Sequence, residues 1–165
     1  KYLKKYTYAP RYLRGLSPSE KFDKMFEIRF YKLKEKHGKI SPKNKYKSSI
    51  VDKKVKIDNG TVIFHNAIVQ RDSMIGKHCI INTNASIDHD CFISDFVHIS
   101  PSATLCGNVK VGEGTHIGAG ATVIPNINIG KWCVIGAGAV ITKDVPDYSL
   151  VVGIPGKIIK KLKND

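Results

Sequence analysis

Six histidines and four cysteines are the side chains of this 165-residue chain whose types lend themselves to acid-base, metal or thiol chemistry. Their spacing removes several of those options. No Cys-x-x-Cys pair occurs, and no His-x4-His spacing exists from which a three-histidine zinc centre could start. His89 stands between Asp88 and Asp90, and His98 follows nine residues later. The strings Gly118-Ala119-Gly120 and Gly136-Ala137-Gly138 superficially resemble phosphate-cradling loops. Neither opens a helix after a strand, as a dinucleotide fingerprint requires, so both read as chain corners.

A period of six positions these residues. From Val51 through Ile57, Ile63 and Leu105 to Ile141, every sixth residue is a branched aliphatic, sixteen in succession. Four residues after each comes a small or β-branched one, among them Thr61, Ser73, Ala85, Ala103 and Thr115. Such a period is neither the 3.6 of a helix nor the alternation of a half-buried strand, and it predicts an all-β solenoid of short strands. Each hexad makes one flat face, and three faces close a triangular coil of about eighteen residues, rising roughly 4.8 Å per coil. Sixteen hexads then make about five coils, whose open ends need caps. Residues eighteen apart stack, which puts Gly107 on His89, His116 on His98 and Ala137 on Ala119. Half a coil separates His98 from His89, so the two belong to different sides of the triangle. The position directly after each aliphatic, often Gly, Asn or Asp (Gly76, Asn82, Gly112, Gly118), reads as the one that takes unusual backbone angles at a corner.

The same register places Cys79, Cys91 and Cys133 at the small inward position, with Cys106 directly after Leu105. They read as reduced structural thiols, which favours a cytoplasmic compartment.

Charge is uneven along the chain. Residues 1–56 hold 18 Lys and Arg against 5 Asp and Glu, whereas residues 57–165 hold 9 of each, so the net +13 belongs to the N-terminal third. Ser17-Pro18-Ser19-Glu20 forms a capping box with Pro at the first helical position, and Gly38 supplies a stop. Between them Phe22, Met25, Phe26, Phe30 and Leu33 recur at helical spacing, predicting a helix over about 18–37. Its lysines, with Tyr2, Tyr6, Tyr8 and Tyr12 nearby, suit phosphates, an anionic membrane or an acidic partner. A solvated face on a helix docked by its apolar stripe is the plainer reading, and no nucleic-acid partner is expected. The chain divides into a basic segment at 1–47, a solenoid domain at 48–147 and a tail at 148–165. No run of eighteen apolar residues exists to span a membrane, and Lys1-Tyr2-Leu3-Lys4-Lys5 is not followed by the apolar stretch of a secretory signal. A first residue other than Met points to a processed chain or a piece of a longer one.

The stretch Ile80-Ile81-Asn82-Thr83-Asn84-Ala85-Ser86-Ile87-Asp88-His89-Asp90-Cys91 resembles the left-handed β-helix acetyltransferases that modify sugars. Most similar are the N-acetyltransferases acting on nucleotide-linked 4-amino-sugars in bacillosamine-type pathways, and their sialic acid O-acetyltransferase relatives. Asp95-Phe96-Val97-His98-Ile99, Gly107-Asn108-Val109-Lys110-Val111-Gly112 and the tail Val152-Gly153-Ile154-Pro155-Gly156-Lys157 extend the resemblance over about residues 48–160. It implies a left-handed parallel β-helix of hexapeptide repeats, a homotrimer and acetyl-CoA as cosubstrate, with no metal.

By that resemblance His89 is the catalytic base and Asp90 the acid that orients its imidazole, with Asp88 able to share the task. Gly107 supplies a backbone N–H to the thioester carbonyl, His98 contacts acetyl-CoA, Ala119 and Ala137 meet the pantetheine arm, and Asn82 lies near the acceptor sugar. The chain departs from the pattern before the coils: about forty-five residues stand where relatives carry a larger nucleotide-binding domain, and Tyr46-Lys47-Ser48-Ser49 replaces their usual His-Pro-Ser-Ala. The expected activity is N-acetylation of a UDP-4-amino-4,6-dideoxy sugar. Sugar or serine O-acetylation is the alternative, followed by a non-catalytic scaffold.

Overall fold

The computed structural model describes residues 45–162. The helix expected over 18–37, and the basic segment that holds it, lie outside the described residues.

From Ile50 to Ile141 the chain makes sixteen two-residue strands, one every six residues. The second residue of each strand is the ladder aliphatic, and successive side chains point to opposite sides of a strand, so the ladder collects on one axis. Ile81, Ile99, Leu105 and Ile117 are wholly buried there. Alanines four residues after an aliphatic, such as Ala85, Ala103 and Ala121, fill the space beside them.

The strands stack into three flat faces. The first holds those starting at Ile50, Ile68, Ser86, Thr104, Thr122 and Val140, and the second those starting at Lys56, Met74, Phe92, Lys110 and Asn128. The third holds those starting at Val62, Ile80, His98, His116 and Val134. Neighbouring coils pair in parallel at an offset of eighteen, with Ile50 opposite Ile68 and His98 opposite His116. After Ile141 the repeat breaks: Ser149–Val152 joins the third face and Lys157–Lys161 pairs antiparallel along it. Among the described residues no helix is long and apolar enough to cross a membrane.

Positive φ recurs three positions after the ladder aliphatic, as at Asn84, Asp90, Ser102 and Asn108. This corrects the expectation that the position directly after the aliphatic takes the unusual angle. Where glycine does follow the aliphatic, it answers to the closeness of the next coil. A Cβ on Gly112 would lie 2.5 Å from the carbonyl carbon of Gly130, and one on Gly118 would lie 2.5 Å from the carbonyl oxygen of Ile135.

Hydroxyls at inward corners tie successive coils together. Thr115 is fully buried; its Oγ1 donates to the Gly130 carbonyl at 2.7 Å and accepts the Cys133 N–H at 2.9 Å. Thr115→Val keeps the shape and strands both partners, so unfolding should become easier by about 1–3 kcal/mol. An unchanged urea midpoint would refute that role. Burial is also the main reason that the thiols of Cys79 and Cys91 are pushed up to about 12 and about 11, and that of Cys133 is raised. They stay protonated near neutral pH, as structural thiols do.

Candidate active site

His89 and Asp90 occupy the corner between the first and second faces. Asp90 has a φ of 58°, a left-handed conformation that Asp tolerates better than most residues, and its Oδ2 lies 2.7 Å from Nδ1 of His89. A carboxylate only accepts, so Nδ1 carries the proton and the neutral ring keeps its lone pair on Nε2. Asp88 does different work: its Oδ1 accepts the backbone N–H of His89 at 2.9 Å and pins the residue to the corner. Both side chains of the His89-Asp90 pair are about half exposed, at 50% and 56%, so the ring is open to a substrate from outside the coil.

One coil on, Gly107 forms the floor beneath that ring. The coils are tied here by the Asn108 N–H, which donates to the His89 carbonyl at 3.0 Å. A Cβ on Gly107 would stand 2.7 Å from Cε1 and 2.9 Å from Nε2 of His89. Only the missing side chain lets the imidazole lie where it does. The Gly107 N–H has no acceptor among the described residues, whereas the amides on either side of it are used, Cys106 to Val123 and Asn108 to His89. The ring with the basic nitrogen therefore lies over a buried glycine whose amide has no acceptor among the described residues.

The remaining candidates form a second group, on the third face and its corner with the first. His98 is buried, and its Nε2 lies 3.2 Å from Nδ2 of Asn82. The His116 ring meets that of His98 edge-on, with centroids 4.8 Å apart, and its Nε2 lies 3.3 Å from Oγ of Ser100. Ala119 and Ala137 are exposed and stacked, with the Gly138 N–H donating to the Ala119 carbonyl at 2.9 Å. Sequence reasoning left Ser100 unnamed. It stands eighteen residues after Asn82, on the same corner column, and the coil register could have found it. Within one chain the two groups lie on opposite sides of the triangle. Among the described residues no cluster of three or more His, Cys, Asp and Glu could hold a metal ion.

The bacterial transferase hexapeptide family matches residues 90–125 and 108–143. The chain belongs to this family of hexapeptide-repeat acyltransferases, and its solenoid is the left-handed β-helix. A variant of perosamine N-acetyltransferase from Caulobacter crescentus in which one histidine is replaced by asparagine, solved with CoA and GDP-perosamine, is 33% identical with a TM-score of 0.72, over 87% of this chain and 66% of that one. The acetyltransferase domain of PglB from Neisseria gonorrhoeae is 33% identical with a TM-score of 0.74, over 88% of this chain and 74% of that one. The same domain in complex with acetyl coenzyme A is 40% identical with a TM-score of 0.69, over 70% of this chain and 56% of that one. The chain thus spans just under two thirds of the perosamine enzyme and somewhat over half of the acetyl-CoA-bound domain. Compared by sequence with curated proteins, it has no significant match.

Proposed function

We propose that this chain is an acetyl-CoA-dependent N-acetyltransferase acting on the amino group of a nucleotide-linked sugar, of the UDP-4-amino-4,6-dideoxy type. The observation that carries this reading is the His89 imidazole, held through Nδ1 by Asp90 and lying over Gly107, whose N–H has no acceptor among the described residues. Similarity to the perosamine enzyme with CoA and GDP-perosamine, and to the PglB domain with acetyl coenzyme A, supports acetyl-CoA and a nucleotide-linked sugar as the substrate classes.

In the proposed reaction the sugar amine attacks the thioester carbonyl carbon while Nε2 of His89 takes the amine proton. Negative charge gathers on the carbonyl oxygen, where the Gly107 N–H donates; one such donor is worth about 10²- to 10³-fold in rate. The tetrahedral intermediate then expels the CoA sulfur, and the imidazolium returns its proton to the thiolate. One proton moves from amine to sulfur, one C–N bond forms and one C–S bond breaks.

His98, Ala119 and Ala137 lie across the triangle from His89, so all four serve one reaction only if a second copy presents its third face to the first copy's corner. A homotrimer with acetyl-CoA between neighbouring solenoids satisfies that requirement. Asn82, on the same edge, is assigned to the acceptor side. No metal takes part, and the compartment is the cytoplasm.

The test is acetyl-CoA turnover by the intact protein against a panel of UDP-linked 4-amino-sugars, with their 4-hydroxy counterparts and serine alongside. Consumption of an amine acceptor is the expected result. Turnover of hydroxyl acceptors alone would replace the reading with O-acetylation, and no turnover of any acceptor would remove the enzymatic reading.

A further inference from the structure

The Asn82-His98 contact carries more information than its distance. An asparagine amide has an accepting oxygen and a donating nitrogen, and its orientation follows from its surroundings. Here Oδ1 of Asn82 accepts the backbone N–H of Thr83 at 2.8 Å. A carbonyl oxygen pointed at an N–H donor fixes the flip, so the NH₂ group is the end that faces His98. The residue itself is anchored at its corner, since its N–H donates to the Ile99 carbonyl at 2.9 Å and its carbonyl accepts from the Ala85 N–H at 3.1 Å. Across 3.2 Å, Nδ2 of Asn82 must donate, and Nε2 of His98 must accept.

We infer that Asn82 is a positioning residue that holds the neutral His98 ring as its Nδ1–H tautomer, leaving His98 a hydrogen-bond donor and not a second base. The protonation pattern of His89 is reached differently, by a carboxylate on Nδ1, and it leaves Nε2 of His89 free to accept a proton. The two histidines therefore have opposite tasks although both carry the proton on Nδ1: on Nε2, one is open to a substrate and the other is occupied by an amide. In that tautomer the ring's one N–H is on Nδ1, and His98 cannot compete for the amine proton through Nε2. The tautomer rests on the hydrogen-bond geometry alone; its use toward acetyl-CoA rests on the proposed function. This assignment shifts Asn82 from a direct contact with the sugar to a residue acting through His98.

Nitrogen-15 NMR on histidine-labelled full-length protein tests the tautomer, with the His98 signals identified by their loss in His98→Gln. The expected spectrum has a bare Nε2 and a protonated Nδ1. Asn82→Asp is nearly isosteric, but its carboxylate can only accept, so it should draw the proton to Nε2 and reverse the pattern; Asn82→Ala should let both tautomers appear. A protonated Nε2 in the unaltered protein, or an Asn82→Asp spectrum unchanged from it, would overturn the inference. In kinetics Asn82→Asp should raise KM for acetyl-CoA by about 2- to 10-fold, the worth of one hydrogen bond, with KM for the acceptor unchanged. A raised acceptor KM with acetyl-CoA unaffected would overturn action through His98. Should the unaltered protein turn over no acceptor at all, the proposed function fails, and the NMR arm still decides the tautomer.

Discussion

Alanine at position 89 is expected to lower kcat/KM for acetyl transfer by about 10²- to 10⁴-fold, the usual contribution of a positioned general base. The loss should fall mainly on kcat, because the ring has its largest effect where the amine gives up its proton. Little stability should go with it. The side chain is half exposed, and its hydrogen bond is to a neighbouring surface carboxylate. Thermal unfolding of His89→Ala should therefore track that of the unaltered chain, which separates a chemical defect from a folding one. Asp90→Asn replaces an acceptor-only carboxylate with an uncharged amide that can also present its NH₂ to Nδ1, so the ring's proton is no longer held there, and the change should cost less than loss of the ring. Full activity in His89→Ala would remove the base from the mechanism.

Gly107→Ala is expected to cost about 10²-fold in kcat, with the fold retained. The added Cβ would sit 2.7 Å from Cε1 of His89, far inside van der Waals contact, and the half-exposed ring is the partner free to move. A displacement of about 1 Å at a reacting group is enough for a loss of that size. The backbone N–H survives the substitution, so the effect reports on the floor under the imidazole and not on the amide donor. A double-mutant cycle makes the distinction measurable. In a His89→Ala background there is no ring to displace, and Gly107→Ala should then be nearly silent. Equal losses in both backgrounds would mean that Gly107 acts without His89.

Much of this site could be read from the chain because the ladder fixes a register. Counting by eighteen stacked Gly107 on His89 and His116 on His98, and counting by nine separated His98 from His89; the sheets reproduce both. Counting says nothing about where a side chain turns. By position Gly112 and Gly118 suggest a conformational requirement, whereas in the structure they respond to the approach of the next coil. The resemblance gives Asp90 the task of orienting His89 and lets Asp88 share it; in the structure Asp88 binds the main chain and Asp90 the ring. The link from Asn82 to His98 depends on the flip of one amide, which no periodicity encodes. Catalytic and cofactor roles came from the resemblance alone, since a repeat period is shared by any solenoid of this kind.

The offset of eighteen between paired strands also governs how such a gene can change in length. Removing one codon inside a coil would turn every later ladder residue away from the axis and misalign every coil beyond it. Removing or adding eighteen would restore each face and shift everything downstream by one rise, roughly 4.8 Å. Viable length variants among descendants of this chain should therefore fall into two kinds: whole-coil steps, and bulges looped out at a corner where the register resumes on the far side.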